Sequence, residues 1–276
     1  MFVCINGTIV KAREAKISVF DQGFLYGDGV YETLRTYGGS VFQMDEHMQR
    51  LGSSVKTLKM AESFDVAKVE KWIVKLVKKN GYKESRVRVQ VTRGENGFDF
   101  GEGKRLNVVI MAERLKDLDP SIYEKGVDVM TIDGSRLRAK VKSTSLLPMI
   151  VARQEAADVG AFEAIFVKDG WVKEGSISNV FVVKGDVIFT PKKGVLLGIT
   201  RDLVVRLVRK LGLKVLEGDF TKRKLYNADE VFITSSVKGM IPVKKVDGRK
   251  IGHGRPGSIT KNLMAAFHDY TAKKAR

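Results

Sequence analysis

Lys142, Glu174 and the run Gly198-Ile199-Thr200 supply, in that order along the chain, an amine, a carboxylate and a glycine-led helix start. A deprotonated lysine amine attacks a carbonyl carbon, a carboxylate stabilises a protonated ring nitrogen, and the first N–H groups of a helix attract a phosphate. Each feature alone has an ordinary structural explanation: a solvated surface lysine, an acid in a hairpin, a plain helix start. Their order is what points to a bound cofactor.

The elements that must position these groups can be read from periodicity and turn chemistry. Residues 1–11 read as two short strands around Asn6-Gly7, and Val30, Tyr31, Thr33 and Leu34 read as a strand before the turn Gly38-Gly39. Asp45 is placed to N-cap a helix carrying Met48, Leu51, Val55 and Leu58, and a second helix with Val69, Trp72, Ile73, Leu76 and Val77 on one face stops near Gly81. Arg86–Gly94 and Leu106–Ala112 read as neighbouring strands joined by the loop ENGFDFGEGKR. The stretch ERLKDLDPSIYEKG has no periodicity and reads as the domain boundary. The expected organisation is therefore an N-terminal α/β domain over residues 1–113, a linker over 114–124 and a larger C-terminal domain over 125–276.

In the second half GVDVMTI is a strand, RAKVK is strand-like up to Lys142, and a helix runs from Leu146 to Ala157. In that strand Lys140 shares a face with Lys142 and serves as its control. Asp169-Gly170 and Gly185-Asp186 mark hairpins. A helix follows Thr200, EVFITSS is a further strand, and Ser258 is placed to cap a closing helix. Mixed helices and strands, with hairpins in the second half, give an α+β fold class.

Composition narrows the function. A hydrophobic content of 43% with five prolines fits a globular chain. One cysteine excludes an internal disulfide, and three widely separated histidines show no metal-ligand spacing, so no metal is expected. The start MFVCINGTIV has no basic leader, and no apolar run approaches the ~18 residues that span a bilayer. The expectation is a soluble, cytoplasmic protein with no membrane partner. The net charge of +17 raises nucleic-acid binding, but the lysines are dispersed along helices and no nucleic-acid-binding motif accompanies them. No nucleic-acid partner is expected, whereas anionic small molecules fit a basic surface.

Across FDQGFLYGDGVYETLR, DEHMQRL, KSTSLL, EGSISN and LYNADEVFITSS the chain resembles the class IV pyridoxal-phosphate (PLP) aminotransferases, which include D-amino-acid and branched-chain aminotransferases and aminodeoxychorismate lyases. The resemblance implies a two-domain fold-type IV architecture of the D-amino-acid aminotransferase kind, PLP as cofactor, amino acid and 2-oxo acid substrates, and a homodimer. It implies that Lys142 holds the cofactor and shuttles the substrate proton, and that Glu174 keeps the pyridine nitrogen protonated. It further implies that Ile199, Thr200, Ser235, Ser236 and Arg50 hold the phosphate, that Leu197 packs on the ring, and that Ser178 and Asn179 bond nearby.

On the substrate side the subfamilies diverge. Tyr31 in GDGVYE, Leu147 and KSTSLL resemble the D-amino-acid enzymes, yet the Arg-x-His carboxylate trap of those relatives is replaced by Phe98-Asp99-Phe100. Arg35 and Arg88 resemble the branched-chain pattern, and Lys238 stands beside the expected phosphate turn in SSVKGMIPV. Tyr31, Arg35, Arg88 and Lys238 are therefore the candidate substrate residues. Transfer from a D-amino acid is the leading expectation, with a branched-chain L-amino acid as the second. The lyase reaction is the alternative, drawing on YETLR, RVRV and GMIPV, and a non-catalytic basic binding protein the remote one.

Overall fold

The computed structural model describes residues 1–101, 105–116 and 118–274. The middle of the expected loop before Leu106, residue 117 of the expected linker and the last two residues lie outside the described residues. The chain divides into two compact units. The first comprises Met1–Lys116, Val141–Leu146 and Thr271–Arg276, the second Asp117–Lys140 and Leu147–Tyr270.

In the first unit the described elements are β1 (Phe2–Ile5), β2 (Thr8–Lys11), α1 (Gln22–Tyr26), β3 (Gly29–Tyr37), β4 (Ser40–Val41), α2 (Met44–Thr57), α3 (Val66–Asn80), β5 (Ser85–Thr92) and β6 (Asn107–Arg114). The strands form an antiparallel sheet in the order β2-β1-β6-β5-β3-β4. Helices α2 and α3 bring Met48, Leu51, Val55, Val69, Ile73 and Leu76 onto sheet residues Val30, Leu34, Val87, Val89 and Ile110 in one buried core. The apolar stripes predict both helices because each repeats at helical spacing.

One local expectation is corrected here, and one element appears that the sequence reading did not anticipate. The α2 helix starts one residue ahead of Asp45, entered from Gln43 at a left-handed φ of 53° with no side-chain cap, so Asp45 sits in the first turn and favours the helix dipole instead. Helix α1, capped by Asp21 accepting from the Gly23 N–H and ended by Gly27 at φ 65°, has only five residues and is too short to register as a period.

The second unit contains α4 (Ser121–Glu124), β7 (Val127–Asp133), α5 (Leu147–Asp158), β8 (Glu163–Lys168), β9 (Trp171–Gly175), β10 (Asn179–Lys184), β11 (Val187–Thr190), α6 (Ile199–Lys210), β12 (Lys214–Glu217), α7 (Lys222–Tyr226), β13 (Glu230–Ser235), β14 (Gly239–Val246), β15 (Arg249–Lys250) and most of α8 (Ser258–Lys274). Its nine-stranded sheet runs β12-β11-β10-β13-β14-β7-β8-β9, with β15 on β14. The expected hairpins are present, and Asp169 and Gly170 both take positive φ as a tight β8-β9 turn requires. The sheet is nevertheless mixed: β11-β12, β14-β7 and β7-β8 pair in parallel. Such pairings join distant segments and leave no local signature.

Three further readings change. Residues 137–140 form a turn rather than a strand, so Lys140 and Lys142 do not share a strand face. The expected linker carries the helical turn α4. The start of α8 is capped from outside, because the Glu230 carboxylate accepts from the Ile259 and Thr260 N–H groups at 3.2 and 2.7 Å. No helix among the described residues is long and apolar enough to cross a membrane.

Candidate active site

Lys142 belongs to the first unit, on a segment that adds itself to the edge of β3. The Tyr31 N–H donates to the Lys142 carbonyl at 2.8 Å, and the Thr144 N–H donates to the Gly29 carbonyl at 2.9 Å. The Thr144 hydroxyl then reaches the Gly27 carbonyl at 2.6 Å, so the residues just past the lysine are tied down on both sides.

The fixed backbone aims three side chains at one place. The Lys142 Nζ lies 4.6 Å from the Tyr31 ring centroid and the Arg88 guanidinium 4.0 Å from it. Strand register explains the second contact: Arg88 stands opposite Thr33, so it reaches Tyr31 diagonally, two residues along β3. Burial pushes the Arg88 guanidinium below its usual pKa while Tyr31 opposes the shift. Arg35 points elsewhere along the same strand, onto the Tyr37 ring at 4.0 Å and toward Glu84 at 3.4 Å.

On the opposite face of β3, Glu32 is completely buried. Arg50 grips it bidentately, Nε to Oε1 at 2.7 Å and an Nη to Oε2 at 2.8 Å, and His47 Nδ1 sits 2.7 Å from Oε2. Burial alone would raise this carboxyl, but the charge and bonds of Arg50, aided by His47, hold it down to about 2. Burial pushes His47 the other way, below its usual value, and the charges of Arg50 and Lys142 add to that against Glu32. An ionised Glu32 can only accept, so His47 Nδ1 carries the proton.

The remaining candidates belong to the second unit. Glu174, on β9, is 3% exposed; its Oε1 pairs with Arg136 at 2.9 Å, and its Oε2 accepts from the Leu196 N–H at 3.3 Å. Asn179 at the start of β10 donates from Nδ2 to the Leu196 carbonyl at 2.7 Å, which seats the segment leading through Leu197 to Gly198. Helix α6 begins at Gly198 with no side-chain cap, leaving its first N–H groups without helical acceptors. A Cβ on Gly198 would lie 2.1 Å from Asn179 Oδ1, so only glycine permits this approach. Ser235 ends β13 and Ser236 starts the following turn, and the Thr234 hydroxyl beside them is buried without a partner among the described residues. An uncapped helix start, hydroxyls beside a buried unpaired one, and a buried carboxylate fit the donor and acceptor needs of a phosphorylated pyridine. Lys238 lies in the same turn, its ammonium 4.1 Å from the Phe162 ring centroid.

Sequence reasoning names Arg50 but passes over the buried cluster it joins. His47 and Arg50 lie three residues apart on α2, hence on one face, and Glu32 stands at an inward strand position between Val30 and Leu34; a charge at such a position is the signal that could have found the cluster. Arg136 lies in a loop with no periodic or motif signal.

Residues 29–246 match the family model Amino-transferase class IV. The chain is 38% identical to a D-alanine aminotransferase of Bacillus licheniformis, with 98% of this chain and 96% of the relative covered. It is 35% identical to a putative branched-chain-amino-acid aminotransferase of Methanocaldococcus jannaschii, covering 99% and 97%. The crystal structure of a T.th. branched-chain amino acid aminotransferase with pyridoxamine 5'-phosphate superposes with a TM-score of 0.91 at 30% identity, covering 98% of this chain and 93% of that one. A lysine anchored beside Tyr31, an uncapped helix start behind Gly198 and these full-length matches agree: the chain belongs to the class IV aminotransferase family and is a PLP-dependent transaminase of fold type IV.

Proposed function

We propose that this enzyme moves the amino group of a D-amino acid such as D-alanine to a 2-oxo acid such as 2-oxoglutarate or pyruvate. The observation that supports amino-group transfer, whatever the handedness of the donor, is the convergence of Lys142 and Arg88 on the Tyr31 ring. PLP, when bound, supplies an aldehyde carbon and an electron-withdrawing ring that makes the substrate α-proton labile. Lys142 is the amine that would hold this group, and it would carry the proton from the substrate Cα. Glu174 would accept from the ring nitrogen, Ile199, Thr200, Ser235, Ser236 and Arg50 would hold the phosphate, Leu197 would cover the ring, and Ser178 and Asn179 would bond beside it. Arg88 takes the substrate carboxylate in place of an Arg-x-His trap, and Tyr31 keeps its guanidinium over the ring face.

The D-handed donor draws on the D-alanine aminotransferase of Bacillus licheniformis, on Tyr31 and on KSTSLL. One observation favours a second reading, transfer from a branched-chain L-amino acid: Arg88, part of the branched-chain pattern, sits on Tyr31 rather than apart from it. Addition of D-alanine, D-glutamate, L-leucine and L-glutamate separately to the purified enzyme, followed by its visible absorption, decides between them. D-alanine or D-glutamate is expected to convert the cofactor to its aminated form. Conversion by L-leucine alone would establish the second reading, and a band that no donor converts would turn the assignment to a lyase.

In the variant Arg88→Ala, the donor KM is expected to rise by about 10- to 100-fold, with kcat falling less, because a charge-assisted carboxylate contact is lost from both ground and transition states. An unchanged KM would remove Arg88 from carboxylate binding. We also propose that the enzyme is a cytoplasmic homodimer. The support for the dimer is a set of exposed aromatics on the first unit, Phe20, Phe24, Phe98 and Phe100, of which Phe20 and Phe98 meet edge to face, and which a second copy would cover. Light scattering that returns a monomer mass would exclude it.

A further inference from the structure

Glu163 on β8 is a charged residue with 1% exposure that takes no part in the chemistry above. Its Oε1 accepts three bonds from consecutive residues: the Ile177 N–H at 2.8 Å, the Ser178 hydroxyl at 2.9 Å and the Ser176 hydroxyl at 3.3 Å. These residues are the bend joining β9, which ends at Glu174-Gly175, to β10, which starts at Asn179. The bend is closed by its own backbone through Gly175 N–H to the Ser178 carbonyl at 2.8 Å, and is tied to β8 through Ser176 N–H to the Ala164 carbonyl at 2.9 Å. Gly175 has no room for a side chain there, since a Cβ would lie 2.1 Å from Ser178 Oγ and 2.5 Å from Glu163 Oε1.

We propose that Glu163 is a positioning residue: by gathering the donors of Ser176, Ile177 and Ser178 on one oxygen, it sets the bend that carries Glu174 at one end and Ser178 and Asn179 at the other toward the cofactor. This rests on the reading of Glu174 as the acid at the pyridine nitrogen. Two facts make the oxygen, rather than a fixed negative charge, the working part. Every partner at Oε1 is a neutral donor. Burial also pushes the carboxyl up, against the bonds from Ile177 and Ser178 and the charges of Lys238 and Arg153. Glutamine keeps such an acceptor; alanine does not.

The test is PLP titration of the cofactor-stripped full-length chain, together with the visible spectrum of each holoenzyme across pH and its Tm. Glu163→Ala is expected to weaken PLP binding about tenfold or more and to shift the pH dependence of the visible band, because three donors lose their acceptor and Glu174 loses its register. Glu163→Gln is expected to stay within about threefold of the parent in PLP affinity, with an unshifted band. A Glu163→Ala protein with a lowered Tm but the parent's PLP affinity and spectrum overturns the proposal, as does a Glu163→Gln protein that behaves like the alanine variant. Should Glu163→Ala fail to fold, Gly175→Ala pries the same contacts apart and must weaken PLP binding; unchanged affinity there overturns the proposal too. Glu174→Gln serves as the control. A silent Glu163→Ala beside an altered Glu174→Gln sinks only the bend, whereas a silent Glu174→Gln removes the pyridine acid and the proposal with it.

Discussion

Replacement of Lys142 by alanine is expected to leave a folded chain that transfers no amino group at a measurable rate, with turnover down by at least ~10³-fold. The amine is asked both to hold the cofactor carbon and to carry the α-proton. Tyr31 and Arg88 are the groups drawn to the same place, and a phenol and a guanidinium do neither task. The backbone should survive the change, because the bonds that seat the segment run through the Lys142 carbonyl, the Thr144 N–H and the Thr144 hydroxyl, none of which alanine removes. The check is single-turnover conversion of the cofactor alongside circular dichroism and Tm. A variant that retains transamination within tenfold of the parent would falsify the assignment. One that loses its fold would show instead that the lysine side chain is structural. Added methylamine should restore part of the rate in a variant that has lost only the amine.

The second large effect is on stability. Arg50→Ala leaves the wholly buried Glu32 carboxylate with His47 alone, and the expected cost near neutral pH is roughly 3–5 kcal/mol, the range for a buried pair broken on one side. The pH dependence follows from the sign of the Glu32 shift. In the parent the folded-state value is depressed from 4.5 to about 2, which corresponds to about 3 kcal/mol of stabilisation. This stabilisation is fully present above the unfolded value and is lost as pH falls through the window down to the folded one. Without Arg50 burial acts nearly unopposed, so the carboxyl of the variant is raised and is better tolerated when protonated. The gap between parent and variant should therefore narrow as pH falls toward about 4. Urea denaturation at both pH values measures it. Equal destabilisation at the two would mean that Arg50 contributes packing rather than charge. In a Glu32→Leu background, Arg50→Ala should cost less than ~1 kcal/mol, since no stranded carboxylate remains. Any loss of PLP affinity that persists in that background reports the separate phosphate role proposed for Arg50.

The buried cluster also illustrates why part of the site is hard to read from one dimension. Arg50 is legible in DEHMQRL as a residue of the phosphate set, yet the carboxylate it grips is Glu32, eighteen residues earlier on a strand. Glu32 and His47 meet only because β3 and α2 pack face to face, a consequence of the apolar stripe of the helix and the alternation of the strand taken together. Glu163 is similar. Its position in FEAIFVK reads as an inward strand residue, and nothing local announces that three donors from the bend between β9 and β10 will converge on it.

The sequence by itself determined the family, the cofactor, the α+β character and most of the elements, because these depend on short-range signals. Apolar residues at helical or alternating spacing, Asn-Gly and Asp-Gly turns, and the KSTSLL, EGSISN and GIT segments are all contained within a few turns or strands of chain. Tertiary structure alone decided how those segments are used. It made the second sheet mixed, turned residues 137–140 away from the strand they resemble, laid the lysine segment against β3, and swung Arg88 rather than Arg35 onto Tyr31. Strand register sets which side chains become neighbours, and register is settled by hydrogen bonds and packing between distant segments, where a local pattern carries no information.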